Sequence, residues 1–205
     1  MTKTIILIPS RLAATRLPNK PLLKINDISI INHVYLKAIS SKIGDVFVAT
    51  GDKEIFEEVR KIDGKCVLTE KEHQTGTDRI FEAYQKLEIK NIDYIINLQG
   101  DEPMIDIEDI KNLNRNAIKN KSEIATLACK IKDKNKLNKS NIVKVITNEK
   151  ITKENVSRAN TFTRKISLDN NANIYHHIGI YIYKVSILEK FVNLKQSKNE
   201  MDQNL

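Results

Sequence analysis

The sequence predicts an α/β fold, a mostly parallel sheet with helices on both faces, and three observations carry that expectation. Ile5-Ile6-Leu7-Ile8, stopped by Pro9, is an unbroken aliphatic run of the kind buried on both faces in a parallel sheet. Strand-like and helix-like segments then alternate, as in a chain that crosses over between parallel strands. Finally, charged loops follow the most apolar strands, after Pro9 and after Leu98. In open sheets of this kind ligands bind at the carboxyl edge.

Taken in order, the first strand opens into a loop carrying Arg11, Arg16 and Lys20, with Pro18 and Pro21 excluding a helix. Cations gathered at that edge repel one another unless a polyanion joins them, and phosphates are the usual reason to collect Arg and Lys there. Leu22 to Ile28 reads as a short hairpin turning at Asn26-Asp27. Ser29 can cap a helix whose stripe is Ile30, Ile31, Val34, Tyr35, Ala38 and Ile39. Asp45 to Thr50 is the next strand. Asp52 opens a helix through about Arg60, and Cys66-Val67-Leu68 returns as a strand. His73-Gln74-Thr75-Gly76 leads to Thr77, placed to cap a helix from Asp78 to Leu87, so that free N–H groups and the positive dipole end face the loop.

Tyr94 to Leu98 is the most strand-like run and ends in Gln99-Gly100-Asp101-Glu102-Pro103. An isolated Asp-Glu-Pro is usually a polar turn. Beside Arg11 and Lys20, a carboxylate at a strand tip is better read as a cation holder, and magnesium fits best, since it takes one or two carboxylates with water and phosphate oxygens. A helix from about Asp106 to Ala117 follows, then strands over 124–129 and 142–147 joined by a lysine-rich, solvated connection at 132–140. Lys144 faces either the ligand edge or water. Tyr175 to Tyr183 is a strand of alternating ring side chains that puts His177 and Tyr181 on one face, and His176 beside His177 points the other way, which argues against zinc.

At 205 residues, 40% hydrophobic and 29% charged, the chain suits one globular domain with a sizeable core. No apolar run is long enough to span a membrane and no signal core precedes the first strand, which predicts a cytoplasmic protein without membrane partners. The net charge of +8 is spread over helices among Asp and Glu, and aromatic residues are only 5%, so nucleic acid is not expected as a partner. Cys66 and Cys129, far apart in strand-like runs, read as reduced packing residues.

Five segments, Pro9 to Pro21, His73 to Arg79, Gln99 to Ile105, Asn141 to Val145 and His177 to Tyr181, resemble in the same order the signatures of the sugar cytidylyltransferases, within them the branch that activates 3-deoxy-manno-octulosonate (Kdo). The resemblance implies a Rossmann-like sheet of nucleotide-diphospho-sugar transferase type over 1–205, with a small sugar-binding and dimerisation subregion at about 132–184. It implies conversion of CTP and Kdo to CMP-Kdo and pyrophosphate, activating Kdo for lipopolysaccharide biosynthesis, by a homodimer. It assigns catalysis to Arg11, Lys20 and Asp101, with Asp101 holding Mg2+ and Glu102 structural. Leu12, Ala13, Thr15, Gln74, Gly76 and Thr77 are implied on the nucleotide side, and Arg79, Gln99, Arg158, His177 and Tyr181 on the sugar side. A guanidinium suits the carboxylate of a sugar acid because its fork offers two parallel hydrogen bonds.

The sequence departs from the family pattern in three places. Ala14 stands where relatives carry serine, and Asn19 where they carry glycine, a milder change because Asn tolerates left-handed geometry. After Arg158 an Ile-Pro-Trp-Asp run is missing, which leaves the equivalence of Arg164 open. The family's late Gly-x-Asp motif, with a second metal aspartate, and its final helix have no counterpart before Leu205, so the chain is expected to be shortened. Two other readings stay open: a cytidylyltransferase for another sugar acid, such as the 8-amino analogue of Kdo or N-acetylneuraminate, and a non-catalytic nucleotide-binding module.

Overall fold

The aliphatic run near the amino terminus forms β1 (Thr4–Ser10), all seven of whose residues are buried, in a computed structural model that describes residues 2–13, 17–153, 155–165 and 173–203. In chain order there follow β2 (Lys24–Ile25), β3 (Ile28–Ser29), α1 (Ile30–Ser40), β4 (Val46–Thr50), α2 (Lys53–Arg60) and β5 (Cys66–Leu68). Next come α3 (Gly76–Leu87), β6 (Tyr94–Asn97), α4 (Ile107–Lys119), β7 (Ile124–Lys130), β8 (Lys144–Thr147) and β9 (Ala159–Thr163). The order closes with β10 (Asn173–Lys184), α5 (Val185–Phe191) and α6 (Lys198–Gln203). The chain divides into two compact units, one running to Ala125 and including Ile180–Asn193, the other formed by Thr126–Gly179 with the residues from Leu194 on.

In the first unit the strands lie in the order β5-β4-β1-β6 and all three pairings are parallel. The last residues of β10 add an antiparallel fifth strand against β6, with Tyr181 opposite Asn97. Helices cover both faces. Ile5, Leu7 and Ile95 face a core with Ile80 of α3 and Leu188 of α5. On the opposite face the Thr4 hydroxyl donates to Asn114 Oδ1 of α4 at 2.9 Å. Turn chemistry follows the sequence closely: Asn26 and Asp27 both take left-handed geometry, φ 48° and 63°, between β2 and β3, as a tight hairpin of this hand requires. Asn19, at φ 56°, uses the tolerance expected of it.

The second unit is antiparallel where its pairings are defined: β8 runs against both β10 and β9. The connection at 132–140 is mostly exposed, as expected, but tightens into a 3-10 turn over Lys134–Asn138 started by the Asp133 carboxylate, which accepts from Asn135 N–H.

Several local expectations are corrected. The cap of α3 is Thr75, not Thr77: its hydroxyl accepts from Asp78 N–H while the Asp78 carboxylate accepts from Thr75 N–H, so the reciprocal box sits two residues earlier and Thr77 falls inside the first turn. Ser29 occupies the position before α1 without a side-chain cap. Lys144 faces neither the ligand edge nor water. It is fully buried, and its ammonium donates to the carbonyls of Lys139 and Arg164 at 2.7 and 2.8 Å, which anchors two loops from beneath. Burial, then the charge of Arg164, lowers its pKa. Neither cysteine is in a disulfide, but Cys129 is exposed rather than packed, while burial pushes the Cys66 thiol up to about 12.

Because β1 is the strand flanked on both edges and covered on both faces, its side chains carry the core. Leu7, fully buried, contacts helices that cannot follow a deletion without disturbing the sheet. Leu7→Ala is expected to lower the unfolding free energy by about 2–5 kcal/mol, read as a lower urea midpoint with an unchanged slope.

Candidate active site

The order β5-β4-β1-β6 makes the carboxyl ends of β1 and β6 the switch point of the sheet: the chain builds outward from β1 through β4 to β5, then returns to the other side of β1 with β6. Loops leaving neighbouring strands in opposite directions open a crevice there. The loops in question are those singled out in the sequence, after Ser10 and after Asn97. Gly100 lets them approach, because a Cβ there would lie 2.9 Å from the Pro9 carbonyl oxygen and 3.2 Å from Ile31 Cδ1.

Across the crevice the Lys20 ammonium meets the Asp101 carboxylate, Nζ to Oδ2 2.7 Å, with about half of the Asp101 side chain exposed. A pair this exposed adds little stability, typically below about 1 kcal/mol, so its value is positional. Next to it Glu102, an exposed residue, is held above the usual carboxylate range by partial desolvation of its carboxyl and by the Asp101 charge, with Lys20 opposing. Arg11 is exposed and Leu12 half-buried, and the Leu12 N–H donates to Asp52 Oδ2 at 2.8 Å. Arg11, Ala13, Asp52, Lys71, Glu72 and His73 line a cavity of about 210 Å³. Thr15, with Ala14 and Arg16, lies outside the described residues.

The far wall of that cavity is the loop after β5. Arg79, buried on α3, donates from Nη1 to Thr69 Oγ1 and the Glu70 carbonyl at 2.6 and 3.0 Å, and from Nη2 to the Lys71 carbonyl at 2.9 Å. Desolvation lowers its pKa, and the Asp52 charge works against that. Glu82, one turn further along α3, accepts from the Glu70 N–H at 3.0 Å, from Lys86 and from His73 Nε2, both at 2.6 Å. Burial alone would raise the Glu82 carboxyl, but Lys86 and the Glu70 N–H outweigh it and hold it below the ordinary range. Residues 69–73 are thus clamped to α3 by one guanidinium and one carboxylate. Arg79, assigned to the sugar side from sequence, here spends these hydrogen bonds on the loop. Gln74 is exposed, and Gly76 and Thr77 form the first turn of α3. Thr77 Oγ1 accepts from Asn97 Nδ2 at 3.3 Å, which ties α3 to the end of β6. Ser10 Oγ, Asn97 Oδ1 and His73 Nδ1 are buried polar atoms at this edge with no hydrogen-bond partner among the described residues.

Of the remaining sugar-side residues, Gln99 is half-buried just before Gly100, and Tyr181 lies opposite Asn97 and stacks on Tyr183, centroids 5.9 Å apart. Arg158 and His177 belong to the second unit. Arg158 is exposed before β9; the His177 ring meets Thr126 Oγ1 at 3.0 Å and packs edge-on against Phe162 at 5.0 Å. Its neighbour His176 turns instead toward Cys129, Nδ1 to Sγ 3.8 Å. Burial pulls the His177 pKa down to about 4, so the ring is neutral at pH 7. Sequence reading placed the loop from His73 at this edge but missed Asp52 and Glu82 as parts of it. A Gly-Asp pair at the carboxyl end of a buried strand is the signal that could have found the first.

Comparison with known proteins supplies the relatives of this arrangement. A family model described as "Cytidylyltransferase" matches residues 5–205. A 3-deoxy-manno-octulosonate cytidylyltransferase of Rhodopseudomonas palustris is 41% identical over 98% of this chain and 82% of its own length, and one of Brucella canis is 38% identical over 99% and 81%. A solved CMP:2-keto-3-deoxy-manno-octonic acid synthetase complexed with CTP superposes with a TM-score of 0.89 at 34% identity, covering 100% of this chain and 83% of that one. At 14% identity and a TM-score of 0.60, a 4-diphosphocytidyl-2C-methyl-D-erythritol synthase from Anaerococcus prevotii shares the fold.

Two outcomes follow for stability. Arg79→Ala strands a buried hydroxyl and two carbonyls, and is expected to cost about 3 kcal/mol in chemical denaturation. For His177, an unfolded chain takes up a proton near pH 6.5 that the folded pocket resists to about 4. Its contribution, at most about 3 kcal/mol, is therefore complete above pH 6.5 and lost as pH falls toward 4. Unfolding free energies measured across that window should fall less steeply for His177→Gln than for the wild type.

Proposed function

The chain belongs to the cytidylyltransferase family of nucleotidyltransferases, and on that premise we propose that it joins CTP and Kdo to give CMP-Kdo and pyrophosphate. The observation that carries the proposal is the contact of Lys20 with Asp101 at the switch point, 2.7 Å, between the two loops that a nucleotide triphosphate would have to bridge. The names of the relatives, printed for Kdo, support the sugar. The cavity beside Arg11 is the place we give to the nucleotide.

In the reaction the anomeric hydroxyl of Kdo attacks the α-phosphorus, the new O–P bond forms as the bond to the β-phosphate oxygen breaks, and the hydroxyl proton passes to solvent. Charge grows on the departing pyrophosphate. Arg11 and Lys20, already at the crevice, stabilise that charge without moving far, which is how fixed cations lower such barriers. Preorganised donors aimed at developing charge are each worth on the order of a hundredfold in rate.

The fit to magnesium rests on Asp101. Among the described residues no group of three or more His, Cys, Asp or Glu could hold a metal, whereas magnesium needs only one or two carboxylates when phosphate oxygens and water complete its shell. Asp101, half exposed at the edge, would hold it. When bound, the ion would offset phosphate charge as a Lewis acid. Homodimerisation, which rests on the family resemblance, belongs to the same proposal, as does the cytoplasmic location expected from the sequence. No helix among the described residues is long and apolar enough to cross a membrane.

Pyrophosphate release should require CTP, Kdo and magnesium together and stop on chelation. Lys20→Met should lower turnover about a hundredfold while the urea midpoint stays within experimental error. Release with N-acetylneuraminate but not with Kdo would replace the sugar, and full turnover by Lys20→Met would remove that residue from the mechanism.

A further inference from the structure

We propose that Asp52 is a positioning residue of the nucleotide site: it fixes the start of the basic loop, and so sets where Arg11 stands. This rests on the nucleotide reading of the crevice.

Asp52 sits where a helix cap is expected, immediately before α2, and Asp is among the best capping residues. Its side chain makes no cap hydrogen bond. The carboxylate instead crosses to the neighbouring strand's loop and accepts the Leu12 N–H at 2.8 Å, across 40 residues of sequence. A helix that forgoes an available cap gives up local stability, and such local losses concentrate at functional sites.

The backbone around Asp52 is held on both sides. Its own N–H donates to Thr50 Oγ1 at 3.1 Å. A Cβ at Gly51 would lie 2.5 Å from Lys71 Cα and 2.6 Å from the Glu70 carbonyl oxygen, so the chain is pressed onto the loop that Arg79 clamps. The carboxylate therefore projects from a rigid base. It lines the same cavity as Arg11 and Lys71, and its charge also supports the buried Arg79 guanidinium. One residue thus joins the two walls: through a hydrogen bond to the basic loop, and through charge to the loop after β5. Without it the peptide from Arg11 to Ala13 keeps its attachment to β1 but loses its tie to β4, and Arg11 samples positions away from the triphosphate.

Two variants separate the hydrogen bond from the charge. Asp52→Ala removes both, whereas Asp52→Asn keeps an oxygen acceptor for Leu12. Hydrogen exchange of the intact protein without nucleotide should be at least about tenfold faster at Leu12 in Asp52→Ala and close to wild type in Asp52→Asn, with α2 unchanged in both. In steady-state pyrophosphate release, kcat/KM for CTP should fall about tenfold in Asp52→Ala, mainly through KM, with KM for Kdo unaltered and partial recovery in Asp52→Asn. Unchanged exchange at Leu12, or an equal loss in both substrates' KM, overturns the assignment. Absence of pyrophosphate release from the wild type would instead overturn the reaction, and the exchange measurement would still decide whether Asp52 holds the loop.

Discussion

Everything described in the first unit depends on β1 lying between two parallel partners. A strand with β4 on one edge, β6 on the other and helices over both faces has no exposed side, so every side chain from Thr4 to Ser10 must be accommodated inside. The polar residues of the run can exist only at its ends. Thr4 finds a partner on α4 and Ser10 arrives at the carboxyl edge, where the backbone is released into the basic loop. The crevice is a consequence of that burial: the chain leaves β1 on one side toward β4 and comes back on the other, so two loops diverge above the same strand end.

The fold was legible where burial imposes a pattern. An unbroken aliphatic run announces a strand flanked on both sides, an Asn-Asp pair announces a tight hairpin, and both are present as read. Legibility failed where two residues compete for one role. Thr75 and Thr77 are equally suited to begin a helix; only the Asp three residues after Thr75 makes the reciprocal box. Lys144 was ambiguous because alternation places a side chain on a face without saying what covers it. At the candidate site, Lys20 and Asp101 could be paired from their strand-end positions. The acceptor for Leu12 could not, because Asp52 also fits a purely local task as a helix cap, and local patterns cannot reveal that a side chain has been diverted to a partner 40 residues away.

The charges at this edge divide by burial. Lys20, Asp101 and Arg11 have solvent access and keep their electrostatic reach for a ligand. Arg79 and Glu82 are committed to the Thr69 hydroxyl, to peptide groups of residues 70 and 71, and to His73 and Lys86. Buried charge of this sort is costly unless fully hydrogen-bonded, and its return is a loop whose geometry does not depend on the ligand. The exposed charges can then act on a crevice whose walls are already in place.

The register of β1 also has a bearing on how the chain is made. Residues 6–10 pair with 46–50, available soon after they are synthesised, whereas Thr4 to Leu7 wait for Tyr94 to Asn97. Between those moments the most apolar strand of the molecule has one open edge, of the kind that recruits strands from other chains. Arrival of β6 closes that edge and brings Asp101 within reach of Lys20 in the same step, so a nascent chain passes from its most association-prone stage to a complete crevice at a single strand pairing.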